Sequence, residues 1–369
     1  MTLKKNAAAG KFFVAVKLKK QLTLLCALVA AQTVFALGQI QYVETAPSKN
    51  GFPIVQKNSA AEILVDTNDF TGVWIAANHL QADISHVTGK TPRLNHSALR
   101  TPHSAIIIGT IGKSEMIDEL IREKKIDVSP IRGKWESFFL QTISNPLPGI
   151  KNALVICGSD QRGTIYGIYD LSEEIGVSPW HFWTDTPPKH HDELFVRAGK
   201  FVQGPPGVKY RGIFLNDEAP DLTGWANEKF GGYNHAFYTN VFDLLLRLKA
   251  NYLWPAMWNN CFGEDDPLNA KLADEYGIVM GTSHVEPMMR ADKEWNRAGY
   301  TAKDWNFLTH SNELKKFWRE GIERNKDYEK IITIAMRGKI DTPMSPTTNV
   351  ALLEEIVAAQ RQIISDVMH

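Results

Sequence analysis

Four times after Tyr210 a short apolar strand pattern is followed by a helical one, and this alternation limits what the second half of the chain can become. Residues 210–215 precede a helical stretch near 236–249, where Val241, Leu245 and Leu248 recur at i, i+4 and i+7 on one face. Residues 251–254 precede a helix at 268–276. Residues 278–281 precede, through a long loop, a helix at 312–328 with Ser311 as its expected cap. Residues 331–336 precede a helix at 350–367. Strands separated by crossover helices pair in parallel, because parallel neighbours need long connections. A doubly wound sheet and a TIM (β/α)8 barrel both satisfy that pattern. No Gly-x-Gly-x-x-Gly follows the first strand, so the barrel is favoured. Four βα units are half of a barrel, with unpaired edges and an uncovered apolar face. The chain is therefore expected to stop before its fold does.

Residues 39–200 also alternate. Strands are expected at 63–65, 105–109, 138–143 and 153–157, with helices at 69–84 and near 162–174. Pro187-Pro188, His190-His191-Asp192 and Gly204-Pro205-Pro206-Gly207 then form a stretch expected to sustain neither helix nor ladder. The expected organisation is a small N-terminal α/β domain over 37–205 and the first half of a TIM barrel over 206–369. The fold class is α/β.

The first 36 residues read as an address. Lys4, Lys5, Lys11, Lys17, Lys19 and Lys20 precede an apolar run over 22–31, followed by Val34-Phe35-Ala36. That is the pattern of a secretory signal peptide cleaved near Ala36, and it predicts a secreted or periplasmic protein. The run is too short for a bilayer span, so no membrane segment is expected after cleavage. Leu25 precedes Cys26, which does not suit lipid attachment. Cys157 and Cys261 are expected as two buried thiols rather than a disulfide. Lys and Arg total 41, as do Asp and Glu, so the chain lacks the cationic excess that nucleic acid requires. No Cys-x-x-Cys pair is present, and no metal or other cofactor is expected.

The residues just past each strand of a barrel converge on one mouth. Strand 1 supplies Asn216-Asp217-Glu218 and strand 2 supplies Trp254, Trp258, Asn259 and Asn260. Tryptophan faces beside amide donors suit a sugar, although two Trp four apart also suit a core. Strand 3 supplies Thr282-Ser283-His284-Val285-Glu286, where His284 and Glu286 alternate and are expected on one side. The spacing is not His-Glu-x-x-His, so substrate contact is favoured over metal. Strand 4 supplies Arg337, a fork for a carboxylate, and Asp341, available as a base. Elsewhere, Gly158-Ser159-Asp160 with Arg162-Gly163 reads as a tight strand-to-helix turn more than a phosphate cradle. The 190–192 cluster reads as solvated loop, and Asn95-His96-Ser97 fits the glycosylation acceptor pattern.

Three long stretches carry a family resemblance: residues 210–218 (Tyr-Arg-Gly-Ile-Phe-Leu-Asn-Asp-Glu), 251–258 (Asn-Tyr-Leu-Trp-Pro-Ala-Met-Trp) and 281–288 (Gly-Thr-Ser-His-Val-Glu-Pro-Met). Together they resemble glycoside hydrolase family 115, the xylan α-1,2-glucuronidases. Residues 158–167 and 175–180 are similar to that family's N-terminal domain. The resemblance implies removal of glucuronic acid or its 4-O-methyl ether from glucuronoxylan, with inversion at the anomeric carbon and without a cofactor. It places Asn216 and Asp217 at the uronic acid subsite and Trp258 against the sugar. Arg337 would hold the substrate, Asp341 would be a catalytic carboxylate, and His284 and Glu286 would be further site residues. Members commonly read Arg-Gly-Asp-Gly-Asp where this chain has Arg337-Gly338-Lys339-Ile340-Asp341, and Val285 stands where many have a second His. Ile340 lacks a glycine's φ > 0 freedom, and Lys339 favours an ionised Asp341. A second catalytic carboxylate is expected beyond His369, so the chain resembles a truncated member, nearly inactive alone. A homodimer of the complete protein is a further expectation. The competing readings are a secreted carbohydrate binder without chemistry and a glycosidase for another sugar, such as a hexosaminide.

Overall fold

The computed structural model describes residues 41–95, 104–337 and 342–369. Val43 to His369 form one compact unit; of the preceding segment only Gln41 and Tyr42 are described. In chain order its first part contains β1 (Val43–Glu44), β2 (Phe52–Gln56), β3 (Ser59–Ala60), β4 (Glu62–Val65), α1 (Thr71–Thr88), β5 (Leu94–Asn95) and β6 (Ser104–Thr110). Then follow α2 (Glu115–Arg122), β7 (Phe138–Ser144), β8 (Asn152–Gly158), α3 (Gln161–Glu174), β9 (Leu194–Val196) and β10 (Lys200–Gln203).

These strands make two sheets, ordered β1-β9-β2-β3 and β10-β7-β8-β6-β4-β5. In the larger sheet β5, β4, β6 and β8 run parallel, and β7 and β10 close the far edge antiparallel. The central strands read Ile106-Ile107-Ile108 and Leu154-Val155-Ile156, all with no exposed surface. Such unbroken apolar runs suit strands covered on both faces. Helices α1 and α3 pack together and against the sheet. On the other side Ile117 and Leu120 of α2 join Phe139, Val155 and Leu64 in one cluster.

The proline-rich stretch does sustain ladders. β9 inserts between β1 and β2, and β10 pairs with β7 from Lys200–Gln141 to Gln203–Phe138. Pro187, Pro188, Pro205 and Pro206 bracket these strands, so none of them withholds a donor from a ladder. The Gly158 turn is structural: a Cβ there would lie 2.1 Å from the Thr164 nitrogen, and Asp160 caps α3 by accepting from Gly163 N at 2.7 Å.

The second part opens with β11 (Gly212–Phe214), α4 (Asp221–Phe230) and α5 (His235–Arg247). It continues through β12 (Tyr252–Trp254), α6 (Phe262–Asp265), α7 (Leu268–Tyr276) and β13 (Val279–Met280). A 3-10 turn (Pro287–Met289), α8 (Asp292–Arg297), α9 (Ser311–Arg324) and α10 (Val350–Met368) complete it. β11, β12 and β13 form a parallel sheet in that order. β11 approaches β12 so closely that a Cβ on Gly212 would lie 1.7 Å from the Tyr252 carbonyl oxygen. Asn234 caps α5 by accepting from Ala236 N and Phe237 N, and Asn349 caps α10 by accepting from Leu352 N.

Two expectations change. Residues 331–336 run beside β13 without forming a regular strand: Ile331 N donates to the Met280 carbonyl at 3.0 Å, and a single parallel bridge joins Met280 to Lys330. The buried Gln360 of α10 then takes over, accepting from Ala335 N and donating to its carbonyl, each at 3.0 Å. A side chain thus satisfies the backbone where a further ladder was expected. The helix at 311–324 starts at Ser311 itself, so Ser311 is its first residue and His310 occupies the cap position without a side-chain cap bond. Cys157 and Cys261 are both buried and unbridged; Cys26 lies outside the described residues. Among the described residues no helix is long and apolar enough to cross a membrane.

Candidate active site

The loops after β11 and β12 are tied together by one carboxylate. Asp217, 1% exposed, accepts hydrogen bonds from Met257 N at 3.0 Å, Trp258 N at 3.0 Å and Asn260 Nδ2 at 2.6 Å. Burial raises its pKa above the usual aspartate value, and these donors oppose that rise. Within the turn so held, Asn259 sits at φ 57°, a left-handed conformation that Asn tolerates better than most residues. The Thr223 hydroxyl of α4 donates to the Asp217 carbonyl and lies 3.1 Å from the Tyr233 hydroxyl. Lys293 Nζ donates to the Asn259 carbonyl at 2.6 Å, fixing the outer side of the turn.

Between these walls lies a cavity of about 550 Å³, a volume in the range of small-ligand sites. Asp217, Glu218, Asn227, Tyr233, Trp258 and Asn260 are among its lining residues. Trp258 is 43% exposed and Glu218 is exposed. The arrangement offers an indole face, amide groups, a phenol and one solvent-facing carboxylate, a set suited to a polyhydroxylated ring. Asp217 itself is hydrogen-bonded through both oxygens.

The expected site residues separate into groups. Asp217 and Trp258 share the cavity; Asn216 is exposed beside Asp217 and is not among the residues lining it. His284 and Glu286 do not face one side. A turn in which Glu286 N donates to the Ser283 carbonyl at 3.0 Å breaks the alternation, leaving His284 exposed and Glu286 2% exposed. Glu286 instead accepts from Asp292 N at 3.4 Å and borders a separate space of about 20 Å³ with Ala256, Gly281 and Thr282. Burial holds its carboxyl well above the usual glutamate range. Arg337 is half-buried, its carbonyl accepts from Trp305 Nε1 at 2.8 Å, and it does not line the larger cavity. Asp341 lies outside the described residues.

Sequence reasoning missed Thr223, Asn227 and Tyr233, because α4 is short and polar and lacks a clear apolar face. The signal available was Gly231, whose left-handed φ of 76° ends α4. Of the 190–192 cluster, His190 pairs with Asp192 at 3.2 Å, both largely exposed. Among the described residues no group of three His, Cys, Asp or Glu is placed to hold a metal.

Residues 203–369 match the profile of glycosyl hydrolase family 115, and residues 51–171 match that of the glycosyl hydrolase family 67 N-terminus. A solved structure described as a novel family GH115 4-O-methyl-α-glucuronidase, BtGH115A, with specificity for decorated arabinogalactans, is 31% identical with a TM-score of 0.75. The alignment covers 86% of this chain and 41% of that one.

Residues 203–369 of this chain belong to glycosyl hydrolase family 115.

The chain spans about 41% of the length of that family 115 relative. Two other solved structures are far more distant. Flavobacterium johnsoniae chitobiase is 12% identical, with TM-score 0.48 and coverage of 89% of this chain and 50% of its own. A mutant Streptomyces plicatus β-hexosaminidase in complex with its product is 10% identical, with TM-score 0.48 and coverage of 89% and 62%. Likeness at that level says nothing about substrate. No curated protein matches this chain by sequence.

Proposed function

We propose that this chain carries part of an inverting α-glucuronidase, which removes α-1,2-linked glucuronic acid or its 4-O-methyl ether from glucuronoxylan. The observation that supports the reading is the Asp217-anchored cavity, set at the C-terminal ends of parallel strands in a segment that belongs to a glycoside hydrolase family. Barrel enzymes build their sites at that end. In this reading residues 1–36 are a secretory signal, 37–205 a companion domain and 206–369 the first half of a TIM barrel. Trp258 packs on a sugar ring, Asp217 holds Trp258 and Asn260 in place, and Asn216 and His284 border the substrate. Arg337 holds the uronate and Asp341 is a catalytic carboxylate. Glu286, buried as it is, acts by supporting the turn before α8.

Glycoside hydrolysis requires two carboxyl groups on opposite sides of the scissile bond. Among the described residues lining the cavity, Glu218 is the one exposed carboxylate, since Asp217 is committed to the 257–260 turn; Asp341 lies outside the described residues. On the reading that Asp341 supplies one carboxylate and its partner is not among the cavity residues described, the 369-residue chain is expected to turn over glucuronoxylan far below the ~1–1000 s⁻¹ of ordinary enzymes. The specificity of BtGH115A for decorated arabinogalactans makes arabinogalactan the alternative polymer.

Incubation with glucuronoxylan and with a uronate-bearing arabinogalactan, followed by proton NMR of the released sugar, tests both points. The expected result is slow release of uronic acid, first as the β-anomer. Release of neutral sugar without uronic acid would overturn the glucuronidase reading, and vigorous turnover would overturn the partial-site reading.

A further inference from the structure

The walls of the Asp217 cavity are held from different places. The Trp258 wall is fixed by Asp217 itself, through Met257 N and Trp258 N. Another wall is formed by α4 and Tyr233 just beyond it, and α4 is lightly seated. Ala226 is its one buried residue, no side chain caps its N-terminus, and Gly231-Gly232 follow its end. A helix with so little buried surface takes its position from a few contacts. Thr223 and Asn227, four residues apart, share the face that lines the cavity. Trp225 projects about 200° round the helix axis from Thr223, onto the far side.

On that far side the contacts are aromatic, and one of them comes from the first part of the chain. The Trp225 ring centre lies 5.5 Å from that of Trp183, 5.5 Å from Phe230 and 6.4 Å from Phe237. Trp183 belongs to the loop between α3 and β9, where its N donates to the Trp180 carbonyl at 2.8 Å. It also meets the fully buried Phe237 edge-on, at 6.4 Å and 84°. Phe237 in turn meets Tyr233 at 4.9 Å and 87°. Edge-to-face pairs of this kind favour one orientation as well as one distance.

Trp183 therefore reaches the cavity wall by two routes, through Trp225 to α4 and through Phe237 to Tyr233. The routes meet at a hydrogen bond. The Thr223 hydroxyl gives its proton to the Asp217 carbonyl, so the Tyr233 hydroxyl donates to the Thr223 oxygen at 3.1 Å. We propose that Trp183, which is not among the residues lining the cavity, is a positioning residue for it. A side chain of the first part sets where α4 stands, and so holds Thr223, Asn227 and Tyr233 at contact distance from a sugar packed on Trp258. The inference rests on the reading of that cavity as a glycan site.

NMR of the full chain tests it with Trp183→Ala, Trp183→Phe and, as a control in the same loop, Trp180→Ala, since Trp180 is 46% exposed. Without ligand, the side-chain amide signals of Asn227 are expected to move in Trp183→Ala, to return towards the parent in Trp183→Phe and to stay in place in Trp180→Ala. The Trp258 indole signal, held through Asp217, should stay in place in all three. With a 4-O-methylglucuronic acid-substituted xylo-oligosaccharide, Trp183→Ala should weaken binding about tenfold and Trp183→Phe less than about threefold. Trp180→Ala should bind as the parent does. Unchanged Asn227 signals in Trp183→Ala would overturn the positioning role. So would a Trp183→Phe variant as impaired as Trp183→Ala, or a Trp258 signal displaced before ligand is added, which marks general loosening. A parent chain that ignores the oligosaccharide would sink the glycan reading of the cavity, and the ligand-free comparison would still decide the role of Trp183.

Discussion

At the N-terminal ends of β11, β12 and β13 the polar side chains answer one another, whereas at the C-terminal ends several face open space. Below the sheet Glu136, 4% exposed, accepts from Arg162 Nε at 2.8 Å, Arg211 Nη2 at 2.8 Å and Asn251 Nδ2 at 2.6 Å. Arg162 also donates to the Gly277 carbonyl at 3.1 Å, just before β13, and to Glu329 at 2.8 Å. Asn251 Oδ1 in turn accepts from Arg211 N at 2.9 Å. The residues that precede all three strands are thus gathered onto the β7 and α3 side of the first part. Above the sheet Asp217 plays the same organising role for a single turn, but Trp258, Glu218 and Asn227 remain exposed around the cavity. The difference teaches how to read a polar residue in this chain: matched partners hold the fold, and unmatched ones around a cavity await a ligand.

The contrast predicts a ranking of effects. Glu136→Ala removes the shared acceptor of two guanidinium groups and Asn251, and breaking a buried pair from one side costs roughly 3–5 kcal/mol. Urea unfolding should show that loss, the largest of the set; an unchanged midpoint would erase the distinction between the two ends. Asp217→Ala frees two buried backbone donors and Asn260, which should cost about 2–3 kcal/mol and loosen Trp258, read as a shift in its fluorescence.

A smaller effect depends on pH. Burial raises the folded-state pKa of Glu286, so the folded state binds a proton that the unfolded state releases. Its contribution is present below the ordinary glutamate pKa and is lost as pH rises from there towards the folded value. Glu286→Gln should therefore flatten the decline of stability across that window, by about 1.4 kcal/mol for each unit of displacement. Parallel pH profiles for variant and parent would contradict the burial argument. Trp258→Ala should change stability by less than about 0.5 kcal/mol, as exposed substitutions do, while weakening glycan binding about tenfold.

Much of the fold was legible because period and length carry it. The helix at Leu268–Tyr276 has its predicted bounds, closed by left-handed Gly277, and α3 and α5 begin within one residue of theirs, where Asp160 and Asn234 cap them. What was not legible depends on distant partners. Residues 331–336 have strand composition, but the ladder gives way to Gln360 after its first residues, and composition cannot report that substitution. β9 and β10 hid among prolines because the breaking residues sit just outside the ladders.

In the sequence the Asn-Asp-Glu run after β11 drew attention to residues that line the larger cavity, yet it could not show which acid stays open. Asp217 is taken up by backbone groups 40 and 41 positions away, which leaves Glu218 facing solvent. His284 and Glu286 were misread because a turn changes the side that each faces, and alternation holds only while the backbone stays extended.

The most direct test of the central claim is titration of a 4-O-methylglucuronic acid-substituted xylo-oligosaccharide against this chain, following the indole N–H signal of Trp258 in the parent and in Asp217→Asn. A saturable Trp258 shift is expected in the parent and a much weaker response in the variant, whose carboxamide cannot accept from all three donors of the 257–260 turn. A Trp258 signal that ignores the oligosaccharide in the parent would contradict it.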